Sequence, residues 1–207
     1  MMMDLSKEDQ LKFDALSKLA DKGYEAFLYD CDGTLADNMQ AHKDSYVEIA
    51  KREGVKMDPA IIDEFAGLPI PLVVVEINKR YKSNLDPVRF EEEKSALFYN
   101  NISSTRPICF VVEHLKANVG KKKIAVVSGS SGKAVSKTLE VIGINSMVEV
   151  IVCAGDTRLG KPNPDPFLMA AEKLGVSPEK CLVFEDGDAG VNAAKAAGMD
   201  WVRIDKI

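Results

Sequence analysis

The chain has 207 residues, 46% hydrophobic and 29% charged, and a formal net charge of −5. That length can bury a sizeable core in one domain, or in one domain with an insert. The acidic balance leaves no basic footprint for nucleic acid, so an anionic substrate would need positive charge concentrated locally, in a metal ion or a few lysines. The longest apolar runs are strand-sized, which argues against a transmembrane helix. The start, Met1-Met2-Met3-Asp4-Leu5-Ser6-Lys7-Glu8, lacks the basic stretch and apolar run of a signal peptide. Four cysteines (Cys31, Cys109, Cys153, Cys181) form no CxxC pair, and only two histidines could join them. A zinc site is therefore not expected, and a reducing, cytoplasmic setting is.

In chain order, residues 6–22 alternate charged and apolar positions at helical spacing, with Leu11, Leu16 and Leu19 on one side and Gly23 as the stop. Ala26-Phe27-Leu28-Tyr29 is a strand-length apolar run that ends abruptly in Asp30-Cys31-Asp32-Gly33-Thr34. Residues 38–103 then carry almost no strand signal. Asp37 or Asn38 caps a helix to Arg52, and further helices are expected over 59–66, 71–81 and 86–100, punctuated by Pro59, Pro69, Pro71 and Pro87.

The second half alternates strands and helices. Ile124–Val127 exits into Ser128-Gly129-Ser130-Ser131-Gly132, Val150–Cys153 into Ala154-Gly155-Asp156, and Cys181–Phe184 into Glu185-Asp186-Gly187-Asp188; Trp201–Ile204 is a last short strand. The short run Lys121-Lys122-Lys123 reads as a solvated strand entry. Helical patterns cover about 132–143, 164–175 and 189–197. The expected fold is α/β, a Rossmann-like doubly wound parallel sheet with an inserted helical cap. Residues 1–37 and 104–207 form the core, and 38–103 the cap.

All chemistry-bearing residues follow strands, which is where ligands sit in open α/β sheets. Asp30 and Asp32 can face one site once the strand has ended and turned at Gly33. One carboxylate could attack phosphorus to give an aspartyl-phosphate, and the other could move protons. The residues alone leave that division of labour open. Attack of an anion on an anion calls for a hard divalent cation, and Mg2+ suits carboxylate oxygens. The small-residue loop at Ser128 and Gly129 offers backbone amides and a helix N-terminus to an anion. Lys161 is framed by Pro162, Pro164 and Pro166, which fix it in place. Gly155 to Lys161 imitates the start of a Walker A loop, but Pro162 stands where a hydroxyl is required. Glu185 and Asp186 at a buried strand end need a cationic partner. Asp188 is expected to cap the following helix, and His114 to lie on a solvated helix face.

Asp30-Cys31-Asp32-Gly33-Thr34, Ser128-Gly129, Gly160-Lys161-Pro162 and Glu185-Asp186, in this order, resemble the haloacid dehalogenase superfamily. The stretch from Val183 to Met199 is similar to its β-phosphoglucomutase-like branch, which also holds sugar-phosphate phosphatases. The resemblance implies Asp30 as nucleophile and Asp32 as acid/base, with Lys161 in the catalytic set. It further implies Mg2+ on Asp30, the Asp32 carbonyl and Asp186, with Glu185 binding or supporting it. Thr34, His42, Ser128 and Gly129 would contact substrate, His42 from the cap side. Phosphomutases of the branch resemble Gly-x-x-Arg at the first cap turn; here Gly67-Leu68-Pro69-Ile70 lacks the arginine, which favours hydrolysis. The expectation is a monomeric phosphatase for a small phosphorylated metabolite, a sugar phosphate. A β-phosphoglucomutase-type mutase, a pyrophosphatase and a phospho-acceptor receiver module are the alternatives. The receiver has no helical cap.

Overall fold

The computed structural model describes residues 4–207. Met1–Met3, where the reading of the N-terminus begins, lie outside the described residues. Helix α1 (Lys7–Ala20) leads into β1 (Ala26–Tyr29) and the two-residue β2 (Ala36–Asp37). Four helices follow: α2 (Met39–Arg52), α3 (Ile61–Glu64), α4 (Ile70–Tyr81) and α5 (Pro87–Asn101). The chain returns through β3 (Arg106–Pro107), α6 (Cys109–Asn118), β4 (Lys123–Val127), α7 (Gly132–Val141) and β5 (Val150–Val152). It finishes with α8 (Asp165–Leu174), β6 (Cys181–Glu185), α9 (Asp188–Ala196) and β7 (Asp200–Arg203).

Five strands form one parallel sheet in the order β5-β4-β1-β6-β7. Because side chains alternate along a strand, β1 sends Phe27 and Tyr29 into one core, with Leu16, Val111, Leu115 and Leu139. It sends Ala26 and Leu28 into the other, with Phe167, Ala170, Leu174 and Ala194. Both faces are covered, which is why these strands read as continuous apolar runs rather than alternating ones. A third apolar cluster joins α2–α5 through Tyr46, Ile49, Ile62, Val74, Ile77 and Phe90, apart from the sheet. β2 pairs antiparallel with β3 (Ala36 with Pro107, Asp37 with Arg106), so the chain leaves for these helices and returns from them at one spot.

Three local expectations change. Leu16 is fully buried, but Leu11 and Leu19 are exposed; α1 turns Leu16, Ala20 and the half-buried Phe13 inward instead. His114 is not solvated. It faces inward from α6, its ring stacked on Phe27 at 5.4 Å and Nδ1 2.9 Å from the Tyr29 hydroxyl. Asp188 is the first residue of α9 rather than its cap, and its exposed carboxylate pairs with Arg203. No helix among the described residues is long and apolar enough to cross a membrane.

Candidate active site

Parallel strands all end on one edge, and β1, the middle strand, delivers Asp30 to its centre. The amide of Asp30 still donates to Phe184 O (2.9 Å), so the carboxylate leaves from ordered sheet. Cys31 then points into the apolar core, away from the edge. Gly33, at φ +89°, turns the chain, and Leu35 and Ala36 close the loop on Cys31 O at 3.0 and 2.9 Å. A side chain at Gly33 would also overlap the Asp186 carboxylate, so the turn and the meeting of these two strand ends both need glycine there.

Lys161 reaches this edge from the proline-framed loop. Its ammonium donates to Asp30 Oδ1 and Glu185 Oε1, each at 2.6 Å, and to Val127 O at 2.8 Å. All three of a lysine's donors are thereby used, and the residue is buried. Glu185 is held at its other oxygen by the amides of Asp186 and Gly187, both at 3.2 Å. Asp186 accepts from the Thr34 hydroxyl at 3.0 Å.

Asp32 lines one pocket with Asp30 but has its own set of partners. Asn38 Nδ2 donates to its Oδ1 and the Ser130 hydroxyl to its Oδ2, each at 2.6 Å, while His42 Nε2 stands 3.3 Å from Oδ1. His42 comes from α2, stacks on Phe98 at 3.9 Å between ring centres, and is backed by Lys94 Nζ at 2.6 Å from Nδ1. Lys94 is buried on α5, beneath the rings of Tyr46 and Phe98 at 5.0 and 4.9 Å.

One pocket thus takes in Asp30, Asp32, His42, Lys94, Ser128, Gly129 and Ser130, roofed by Phe65, Ala66, Gly67 and Leu68. Of the residues assigned to the site from sequence, Asp30, Asp32, His42, Ser128 and Gly129 line it; Lys161, Glu185 and Asp186 gather at Asp30 outside that lining, and so does Thr34. That residue is fully buried and spends its hydroxyl on Asp186 instead of lining the pocket. Ser128 is fixed by its amide to Val152 O (2.9 Å), and its hydroxyl oxygen accepts from the Ser130 amide (3.0 Å). Ser131 caps α7, so the helix N-terminus faces the same edge.

Sequence reasoning missed three of these residues. Ser130 lay inside the loop read for Ser128, and Asn38 was read only as a helix cap; it makes no side-chain cap bond and serves Asp32 instead. Lys94 had a usable signal. Phe90, Lys94 and Phe98 recur at i, i+4 and i+8, which puts a lysine in the apolar stripe of a helix.

The electrostatics sort these acids into two kinds. Burial pushes Asp30 well above the usual carboxylate range; Lys161 opposes it, and Glu185, Asp186 and Asp32 add to it. Burial and neighbouring Glu185 lift Asp186 to about 7, against the Thr34 bond. Burial would raise Asp32 as well, but His42, Ser130 and Asn38 overcome it and hold this acid well below its ordinary value. Asp30, Glu185 and Asp186 bring ligand oxygens within 4.8 Å of one another, and among the described residues Lys161 is the one cation paired with Asp30 and Glu185. A buried group of three acids and one ammonium is short of positive charge, and hard oxygen donors at this spacing fit a divalent cation.

Known proteins resemble this chain over most of its length. The family model for haloacid dehalogenase-like hydrolases matches residues 27–204. Fructose-1-phosphate phosphatase YqaB of Escherichia coli K12 is 32% identical over 87% of this chain and 96% of its own. A phosphorylated carbohydrates phosphatase of Thermotoga maritima is 29% identical over 86% of this chain and 83% of its own. Among solved structures, the β-phosphoglucomutase of Clostridium difficile superposes with a TM-score of 0.75 at 28% identity, covering 87% of this chain and 84% of that one. A family match across the whole sheet, from β1 to β7, leaves one assignment: this chain belongs to the haloacid dehalogenase-like hydrolases.

Proposed function

We propose that this chain, a phosphatase of that family, hydrolyses small phosphorylated carbohydrates through an aspartyl-phosphate on Asp30. The observation that carries the reading is the Lys161 ammonium, 2.6 Å from both Asp30 and Glu185 and lining one hollow with Ser128 and Gly129. Phosphate oxygens would settle on the amides of the Ser128 loop, at the N-terminus of α7, with Lys161 balancing their charge. Asp30 attacks phosphorus, and the ester bond to the leaving oxygen breaks.

Asp32 donates the proton that the leaving oxygen takes, then accepts one from the water that splits the aspartyl-phosphate. Its two oxygens are fixed by Asn38 and Ser130, so its reach towards the substrate is set before binding. An anionic phosphoryl group beside it raises its proton affinity from the low value that its neighbours impose. Mg2+, held by Asp30, Asp186 and the Asp32 carbonyl with Glu185 bound or in support, would supply the charge that lets an anion approach an anion. The donor set described above fits it.

Hydrolysis is favoured over transfer to a second site. Around Asp30, Asp32 and His42 the lining holds one lysine, Lys94, and its far wall is Met39, Ile62, Phe65, Leu68, Ile70 and Val73; Lys161 and Arg158 line the adjoining hollow beyond Ser128 and Gly129. A mutase must grip a second phosphate, and this wall offers little to grip it. Four unpaired thiols agree with a cytoplasmic setting.

The test is a panel of phosphorylated carbohydrates with Mg2+, read as released phosphate, run beside Asp30→Asn. Release from at least one sugar phosphate, abolished in a folded Asp30→Asn protein, is expected. Retained turnover in that variant would remove Asp30 from its role. Glucose 6-phosphate formed from β-glucose 1-phosphate would favour the mutase.

A further inference from the structure

We infer that Gly190 is a positioning residue of the active site, present so that the Glu185 carboxylate can lie against the first turn of α9 and hold Lys161. Gly190 is the third residue of that helix. Its backbone does not require glycine, because its φ is outside the left-handed region that Gly33 and Gly198 occupy. Glycine inside a helix is less favourable than alanine. The rest of this helix uses alanine freely, at Ala189, Ala193, Ala194 and Ala196.

The reason lies in what a side chain would meet. A Cβ built on Gly190 overlaps the Glu185 carboxyl group, and its three nearest neighbours are Oε1, Cδ and Oε2 of that residue, with Oε2 at 2.6 Å. The end of a glutamate ordinarily swings aside at little cost. Here it cannot. Glu185 is 1% exposed, Oε1 takes the Lys161 ammonium at 2.6 Å, and Oε2 takes the amides of Asp186 and Gly187 at 3.2 Å. A methyl group at residue 190 would displace the oxygen that shares Lys161 with Asp30. The ammonium would then keep Asp30 as its only carboxylate, beside Val127 O, and one oxygen of the buried carboxylate group would be lost from its place.

The inference rests on the proposed function for its turnover arm only; its binding and stability arms stand without it. The experiment compares four proteins: the parent, Gly190→Ala, Glu185→Ala and the double variant. Mg2+ affinity is measured by titration calorimetry, turnover with p-nitrophenyl phosphate, and melting temperature without metal. Gly190→Ala is expected to weaken Mg2+ binding at least fivefold and to lower kcat at least tenfold. It should lower the melting temperature of the parent yet raise that of Glu185→Ala, where no carboxylate is in the way and alanine is the better helix former. Should Gly190→Ala fail to fold in the parent, the double variant must still fold and outlast Glu185→Ala. Unchanged Mg2+ affinity in Gly190→Ala, a stability change of the same sign in both backgrounds, or a double variant that does not fold would each overturn the inference. Absence of phosphatase turnover in the parent would count against the proposed function, while the calorimetric and melting arms would still decide the role of Gly190.

Discussion

Lys94 Nζ stands 2.6 Å from His42 Nδ1, joining α5 to α2 directly above Asp32. A lysine ammonium has only donors, so Nδ1 must accept, and the imidazole proton is placed on Nε2, on the side of Asp32 Oδ1. The pair thus determines which tautomer faces the proposed acid/base.

Lys94 is held in this role against its own solvation. Burial lowers it to about 8. Between that value and its ordinary 10.5 the unfolded chain binds the proton that the folded one has lost, so stability rises with pH across this window. Below it the buried ammonium costs up to about 3 kcal/mol. Lys94→Met is expected to melt several degrees higher at pH 7, to lose the alkaline rise in stability, and to lose about tenfold or more in kcat as the tautomer is freed. Thermal melts from pH 7 to 10.5 and steady-state kinetics check it; an unchanged kcat would remove Lys94 from the active set.

His114 makes the opposite limb. Burial among Phe27, Phe184 and Tyr29 depresses it to about 4. The unfolded chain protonates first, near 6.5, so stability is whole above that value and falls as pH drops towards 4. The loss reaches about 3 kcal/mol at most. Acid titration of the melting temperature should show a step between pH 6.5 and 4. His114→Phe should flatten it.

The carboxylates around Lys161 predict a metal response that needs no turnover. Mg2+ is expected to raise the melting temperature by several degrees, because it relieves repulsion that Lys161 balances only in part. Asp186→Asn should abolish the increment while melting no lower than the parent without metal. Calorimetric scans with Mg2+ and with chelator measure both.

Gly129 bears on how closely the helical insert seats on the sheet. A Cβ there overlaps Gly67 O and lies 3.0 Å from Gly67 C, backbone that cannot swing aside. Gly129→Ala should therefore lift the Gly67 loop away from Ser128 and Gly129. A fall of about tenfold in kcat/KM, with the melting temperature changed by no more than about 2 °C, is expected. An unchanged kcat/KM would show that this contact is dispensable.

The parts legible in the sequence were those whose signal is local. β1, β4 and β6 are apolar runs that stop at acids or small residues, and Asp30, Ser128 and Glu185 stand at those stops. Lys161 was legible because three prolines frame it. What escaped is decided by partners distant in sequence. Lys94 needs His42, 52 residues away, before it means more than a lysine on a helix. His114 needs Tyr29, 85 residues away, before it is a core residue. Leu11 and Leu19 looked like core because helical spacing fixes which residues share a face, not which face the sheet will cover.

The two-residue ladder of β2 and β3 has a consequence for how such a protein is put together. Asp37 and Arg106 are paired across it, and paired antiparallel residues lie about 5 Å apart at Cα. The outgoing and returning strands are therefore adjacent before any helix of the insert begins. A short turn could join them and leave the parallel sheet its full set of strands, and another helical segment could be spliced between the same two residues. The position works as a socket, at which the helical segment can be exchanged without redesigning the sheet edge that carries Asp30.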